Sequence, residues 1–123
     1  MQQRILLIED SRTQALRFQL ELARYGLAVE VACDGLIGLA AARSQPPDAI
    51  VLDVDLPELD GYSVCRALKA DPATAHIPIV MLTRCDEAQD ALAGLQLGAV
   101  DYIPKDAFAE HNLVQAFQQL GLI

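Results

Sequence analysis

The chain has 123 residues, the length of one domain, so residues 1–123 are read as a single unit. Hydrophobic residues make up 53% of it and mean hydropathy is +0.25, enough for a packed core and far from a disordered composition. The net charge is −8, with no Lys/Arg block and no Trp, which argues against direct nucleic-acid binding.

No apolar run reaches the roughly 20 residues of a membrane span. The first residues pass from Arg4 into a strand-like run and then Glu9-Asp10, too short and too acidic for a secretion signal. Cys33, Cys65 and Cys85 lack metal-type spacing and are read as free thiols in a reducing cytoplasm.

Arg4 to Ile8 reads as a buried strand ending at Glu9-Asp10. Ser11 or Asp10 caps the helix that follows, and Ser11 with Gln14 has capping-box spacing. Ala15, Phe18 and Leu22, flanked by Leu16, Leu20 and Ala23, give that helix its apolar face, and Gly26 stops it. Leu27 to Cys33 alternates as a second strand nearer a sheet edge. Asp34-Gly35 turns the chain, and Leu36, Leu39 and Ala40 mark a second helix that runs out at Ser44-Gln45-Pro46-Pro47.

Ala49 to Leu52 is a third strand, apolar throughout and so buried on both faces, stopping abruptly at Asp53. Asp60-Gly61 opens a third helix with Val64, Ala67 and Leu68 inward, ended by Asp71-Pro72. Ile77 to Leu82 is the fourth strand, followed by Thr83. Asp86 with Gln89 is expected to cap a fourth helix whose face is Ala88, Leu92 and Leu95, stopped by Gly98. Val100 to Ile103 is a short fifth strand before Pro104-Lys105, and Phe108 to Leu120 a last helix with Leu113, Phe117 and Leu120 at helical spacing.

Strand followed by helix, five times, implies right-handed crossovers and a parallel sheet covered on both faces. The expected fold class is α/β: an open, doubly wound (βα)5 arrangement of the flavodoxin-like kind, strand order 2-1-3-4-5. A closed eight-unit barrel would need about twice the residues.

Glu9 and Asp10 follow the first strand, Asp53 the third, Thr83 the fourth and Lys105 the fifth. In an open parallel sheet these ends share one rim, and ligands bind where the strand order reverses, here between the first and third strands. Crowded carboxylates raise one another's pKa unless a cation relieves them, and Mg²⁺ suits an oxygen-only site that handles phosphate. A carboxylate can also act as a nucleophile and form an acyl phosphate. Phosphoryl transfer then needs charge and positioning, which a divalent cation, the Lys105 ammonium and the Thr83 hydroxyl supply.

The chain resembles the receiver domain of two-component response regulators, the chemotaxis-regulator fold. The resemblance covers essentially the whole chain. It rests on Glu9-Asp10, Asp53-Val-Asp-Leu-Pro57 through Asp60-Gly61, Thr83, and Gly98-Ala-Val-Asp-Tyr-Ile-Pro-Lys105. It implies that Asp53 accepts a phosphoryl group from a phosphohistidine on a histidine kinase or phosphotransfer protein. It implies Mg²⁺, or Mn²⁺, on Asp10, Asp53 and the backbone carbonyl of Asp55, with Glu9 acting through water. Lys105 would pair with the phosphoryl oxygens, Thr83 would swing toward them, and Tyr102 would rotate inward. The fourth helix, fifth strand and fifth helix would form the surface for a downstream target, a fused output domain or a homodimer. Such a domain is not an enzyme beyond assisting its own phosphorylation and dephosphorylation.

Three positions depart from the common pattern. Arg84 follows the threonine where a small residue is usual, and could cover the site or contact the phosphoryl group. Asp106 follows Lys105 where a proline in a cis peptide is usual. A non-proline cis bond costs about 2.5–4 kcal/mol, so Lys105-Asp106 is expected to be trans. Asp55 adds a carboxylate beside the acceptor.

Ordinary readings stand beside these. A lone acid at a strand end is most often a helix cap, which accounts for Asp60, Asp86 and Asp106 but not for Glu9, Asp10 and Asp53 together. His76 and His111 read as surface residues. Phe108 and Leu122 are candidate exposed apolar contacts. The chief rival function is a haloacid-dehalogenase-type phosphatase using Asp53 and Asp55, which leaves Glu9-Asp10 unexplained. A flavin-binding domain of similar topology lacks a phosphate-cradling loop after the first strand. A degenerate receiver acting by protein interaction alone is disfavoured by the retained acids, Thr83 and Lys105.

Overall fold

The computed structural model describes residues 2–84 and 88–123. The strands are β1 (Arg4–Ile8), β2 (Ala28–Ala32), β3 (Ala49–Asp53), β4 (Ile79–Thr83) and β5 (Asp101–Pro104). The helices are α1 (Arg12–Ala23), α2 (Gly35–Ser44), α3 (Gly61–Ala70), α4 (Ala88–Gln96) and α5 (Ala109–Gln119). All strand pairs are parallel, in the order β2-β1-β3-β4-β5. The expected architecture and strand order are therefore the observed ones. The reversal between β1 and β3 opens the crevice at the carboxyl ends of the strands.

Alternation along β1, β3 and β4 sends side chains to two cores. Ile5, Leu7, Val51, Val80 and Leu82 pack with Phe18 and Leu22 of α1 and with Leu113 and Phe117 of α5. Leu6, Ile8, Ile50, Leu52 and Met81 pack with Leu39 of α2 and with Val64, Cys65 and Leu68 of α3. Because the central strands are covered on both faces, their apolar runs are continuous in sequence. Pro104 ends β5, an edge strand, where a missing N–H is tolerated.

Two expected helix faces need correction. Leu16 and Leu20 of α1 and Leu92 and Leu95 of α4 are exposed rather than inward, and Leu36 of α2 is exposed too. In α2 and α4 small residues take the inward positions because the helices lie close to the sheet. A Cβ on Gly38 would meet Ile8 Cδ1 at 2.5 Å, and one on Gly94 would meet the Tyr102 ring at 2.8 Å. Leu36, Leu92 and Leu95 are thereby turned outward, while Leu39 stays in the core. Leu122 is partly buried against the core, whereas Phe108 is exposed as expected.

The caps follow short polar side chains. Asp34 accepts from the Ile37 N–H (2.7 Å), and Asp60, as expected, from the Ser63 N–H (2.8 Å). Ser11 accepts from the Gln14 N–H (3.3 Å), but the Ser11 N–H is held by Glu9 (3.3 Å) instead of Gln14, so the capping box is only half formed. Asp106 accepts from the Phe108 N–H (2.8 Å) before α5. The expected Asp86 cap lies outside the described residues.

Candidate functional site

Glu9, Asp53 and Thr83 are buried at the rim, each about 1% exposed. Each is carried there by the apolar strand before it. The β3 backbone stays in register with β4 through the Val54 N–H to Leu82 carbonyl bond (2.9 Å). Gly61 holds the start of α3 against this end of β3: a Cβ there would lie 2.4 Å from the Asp53 carbonyl oxygen. The loop between turns through Glu58 at φ 63°, a left-handed conformation uncommon for a residue with a side chain.

Lys105 crosses from the end of β5 into the crevice. Its Nζ lies 2.6 Å from Glu9 Oε1 and 2.9 Å from Asp53 Oδ2. The third donor of the ammonium reaches Gln14 Oε1 at 2.8 Å. The other oxygen of Asp53, Oδ1, accepts from the Asp55 N–H at 3.0 Å. Both oxygens of the carboxylate are thus held, which fixes its plane. The Lys105 N–H also bonds the Thr83 carbonyl (2.6 Å), tying the lysine to β4.

Glu9, Asp10 and Asp53 each offer a carboxylate oxygen within 4.8 Å of the others. This all-oxygen, partly open cluster fits a hard divalent cation. Burial pushes the Glu9 carboxyl up to about 7, helped by its hydrogen bond and charge repulsion with Asp53 and opposed by Lys105. A cation placed here would favour the ionised form.

The remaining expected residues fall close by. Asp55 is exposed two residues after Asp53 and its Oδ2 accepts from the Arg84 N–H at 3.4 Å. Arg84 is itself exposed at the mouth. Tyr102 is half-buried, its hydroxyl 3.0 Å from that of Tyr62. Lys105-Asp106 is trans, as expected, and no cis peptide occurs among the described residues. His76 and His111 are exposed.

Sequence reading did not single out Gln14 or Tyr62 as site residues. Gln14 carried only its capping-box spacing with Ser11, because its meeting with Lys105 spans 91 residues. Tyr62 gave no signal, since its meeting with Tyr102 spans 40 residues.

An acidic cluster and a paired lysine at the switch point of a doubly wound sheet define a class of site, one whose oxygen ligands are able to hold a divalent cation. Comparison with known proteins carries this to a family. The family described as response regulator receiver domain matches residues 5–118. Response regulator PleD of Caulobacter vibrioides is 41% identical over 105 residues, 85% of this chain and 23% of that protein. The DNA-binding dual master transcriptional regulator RpaA of a Synechocystis strain is 39% identical over 112 residues, 91% of this chain and 46% of that protein. The chain therefore spans less than half the length of these relatives. The chemotaxis response regulator CheY4 of Vibrio cholerae superposes with a TM-score of 0.89 at 27% identity, covering 98% of this chain and 99% of its own. The chain belongs to the response regulator receiver domains of two-component signalling.

Proposed function

We propose that Asp53 is the phosphoryl acceptor and that the domain is a phosphorylation-controlled switch rather than a turnover enzyme. The observation that carries this is the buried Asp53 carboxylate, held at both oxygens by Lys105 and the Asp55 N–H. In the reaction an Asp53 oxygen bonds to phosphorus as the phosphorus–nitrogen bond of a partner's phosphohistidine breaks, and the imidazole leaves with the bond electrons and gains a proton. Mg²⁺ or Mn²⁺, held by Asp10, Asp53 and the Asp55 carbonyl, with Glu9 through water, would neutralise charge on the transferring oxygens. Lys105 stays beside the acceptor and pairs with the new phosphoryl oxygens. Thr83 donates its hydroxyl to them, and Tyr102 follows Thr83 inward.

Arg84, exposed at the mouth, is the residue through which access would be gated. An Arg84→Ala variant labelled at the wild-type rate would remove that role. The kinase or phosphotransfer protein would meet the domain in the cytoplasm, and α4, β5 and α5 would present the changed surface to a downstream target, an output domain or a second copy. No helix among the described residues is long and apolar enough to cross a membrane.

The test is intact mass after incubation with acetyl phosphate, with and without Mg²⁺. A Mg²⁺-dependent adduct of about 80 Da, absent from Asp53→Ala, is expected for a covalent aspartyl phosphate. Labelling that survives in a folded Asp53→Ala protein would move the acceptor elsewhere. Turnover of small phosphoesters would favour the phosphatase reading.

A further inference from the structure

The Lys105 ammonium has three N–H donors and three side-chain acceptors: Glu9 at 2.6 Å, Asp53 at 2.9 Å and Gln14 at 2.8 Å. Two of these are carboxylates of the site. The third is a neutral amide on the first turn of α1, brought 91 residues through sequence to the lysine. Beside it lies a small cavity of about 60 Å³ lined by Gln14, Arg17, Phe18, Lys105, Asp106 and Ala109. This cavity is open space, on the α1 and α5 side of Lys105, into which a less restrained lysine could turn. Asp106 lines it and offers a competing carboxylate.

We propose that Gln14 is a positioning residue for phosphoryl transfer, whose side-chain carbonyl takes the third Lys105 donor and holds the ammonium over Asp53 rather than toward the α1–α5 cavity. The inference rests on the reading of Asp53 as the acceptor. A neutral acceptor suits the task. It satisfies the third donor without adding a negative charge that would draw Lys105 away from the incoming phosphoryl oxygens. The bond is also independent of the acceptor: when Lys105 passes from Asp53 to a phosphoryl oxygen, the contact with Gln14 can persist and keep the lysine aimed. Phosphoryl transfer depends mainly on such placement of charge, so small displacements cost rate.

The test is the rate of acetyl phosphate labelling in Gln14→Met, which keeps the side chain's length and loses its carbonyl. The limiting rate at saturating Mg²⁺ is expected to fall about tenfold. The Mg²⁺ concentration giving half the limiting rate should stay near the wild-type value. A second comparison removes the lysine. Lys105→Met and the double variant Lys105→Met/Gln14→Met should label at the same rate, because a residue acting through the lysine has no effect without it. A wild-type rate in Gln14→Met overturns the proposal. So does a loss that persists in the Lys105→Met background, which would mark a purely structural role. A wild-type protein that takes no phosphoryl group defeats the acceptor reading itself, whereas normal wild-type labelling with an unaffected Gln14→Met defeats only the role of Gln14.

Discussion

Lys105 Nζ and Glu9 Oε1 lie 2.6 Å apart, with the two side chains 7% and 0% exposed. The pair is close, yet Glu9 sits at about 7, above its ordinary 4.5, because burial and Asp53 outweigh the lysine. The sign of the consequence follows. Between these values the folded protein binds more protons than the unfolded chain, so metal-free stability falls as pH rises from about 5 to 7. Urea unfolding in EDTA should show this slope, and Glu9→Gln should flatten it. Mg²⁺ should stabilise most at the upper end of the window, where Glu9 must ionise. An unchanged slope in Glu9→Gln would assign the pH dependence to other groups.

Gly61 is where α3 meets the end of β3. A Cβ would lie 2.4 Å from the Asp53 carbonyl oxygen and 2.6 Å from Val54 Cα, both backbone atoms that cannot turn aside. Gly61→Ala must therefore shift α3 or the end of β3. Overpacking of this kind costs about 1–3 kcal/mol, read as a lower urea midpoint. The shift also moves the turn that holds Asp53 through the Asp55 N–H, so acetyl phosphate labelling should slow. Wild-type labelling with lowered stability would show that the site tolerates the displacement.

Strand ends were easy to read in this sequence, as were the faces of α3 and α5, but the face of α4 was not. Asp53 stood out because four apolar residues precede it, and burial on both faces forces such runs in a parallel sheet. Thr83 and Lys105 became legible once the strands were counted. Leu92 and Leu95 misled because α4 turns Gly94 toward the sheet, and a pattern that scores hydrophobicity cannot weigh a missing side chain. Gln14 was legible only as a cap. Its side chain bonds a lysine 91 residues away, a contact made by topology and not by local spacing.

Lys69 offers a stability prediction away from the site. Its Nζ donates to the Ala75 carbonyl (3.0 Å) and the Ile77 carbonyl (2.8 Å), closing the turn between α3 and β4, and its stem packs on Gly98. Lys69→Met keeps the stem and removes both bonds. Hydrogen bonds from a charged donor are worth about 1.5–3 kcal/mol each before solvation of the freed carbonyls, so a net loss of about 1–2 kcal/mol is expected. Phosphoryl labelling should be unaffected. A variant as stable as wild type would mean that water replaces the ammonium at both carbonyls.

The hydroxyls of Tyr62 and Tyr102 lie 3.0 Å apart, joining the start of α3 to β5. The Tyr102 ring also occupies the space that Gly94 leaves open on α4. If Tyr102 moves when Asp53 is phosphorylated, Tyr62 must lose or re-aim that bond, so the two rings should report the change together. Tyr25, exposed beyond the end of α1, supplies an internal reference. Fluorotyrosine NMR of the protein with and without Mg²⁺ and beryllofluoride, an aspartyl phosphate analogue, is the measurement. Both the Tyr62 and Tyr102 resonances should shift while Tyr25 stays. In Tyr62→Phe the Tyr102 ring has one restraint fewer, and its resonance in the unmodified protein should move toward the activated position. A Tyr102 shift with Tyr62 unmoved would uncouple the pair. No shift in either would place the response of this domain in another part of its surface.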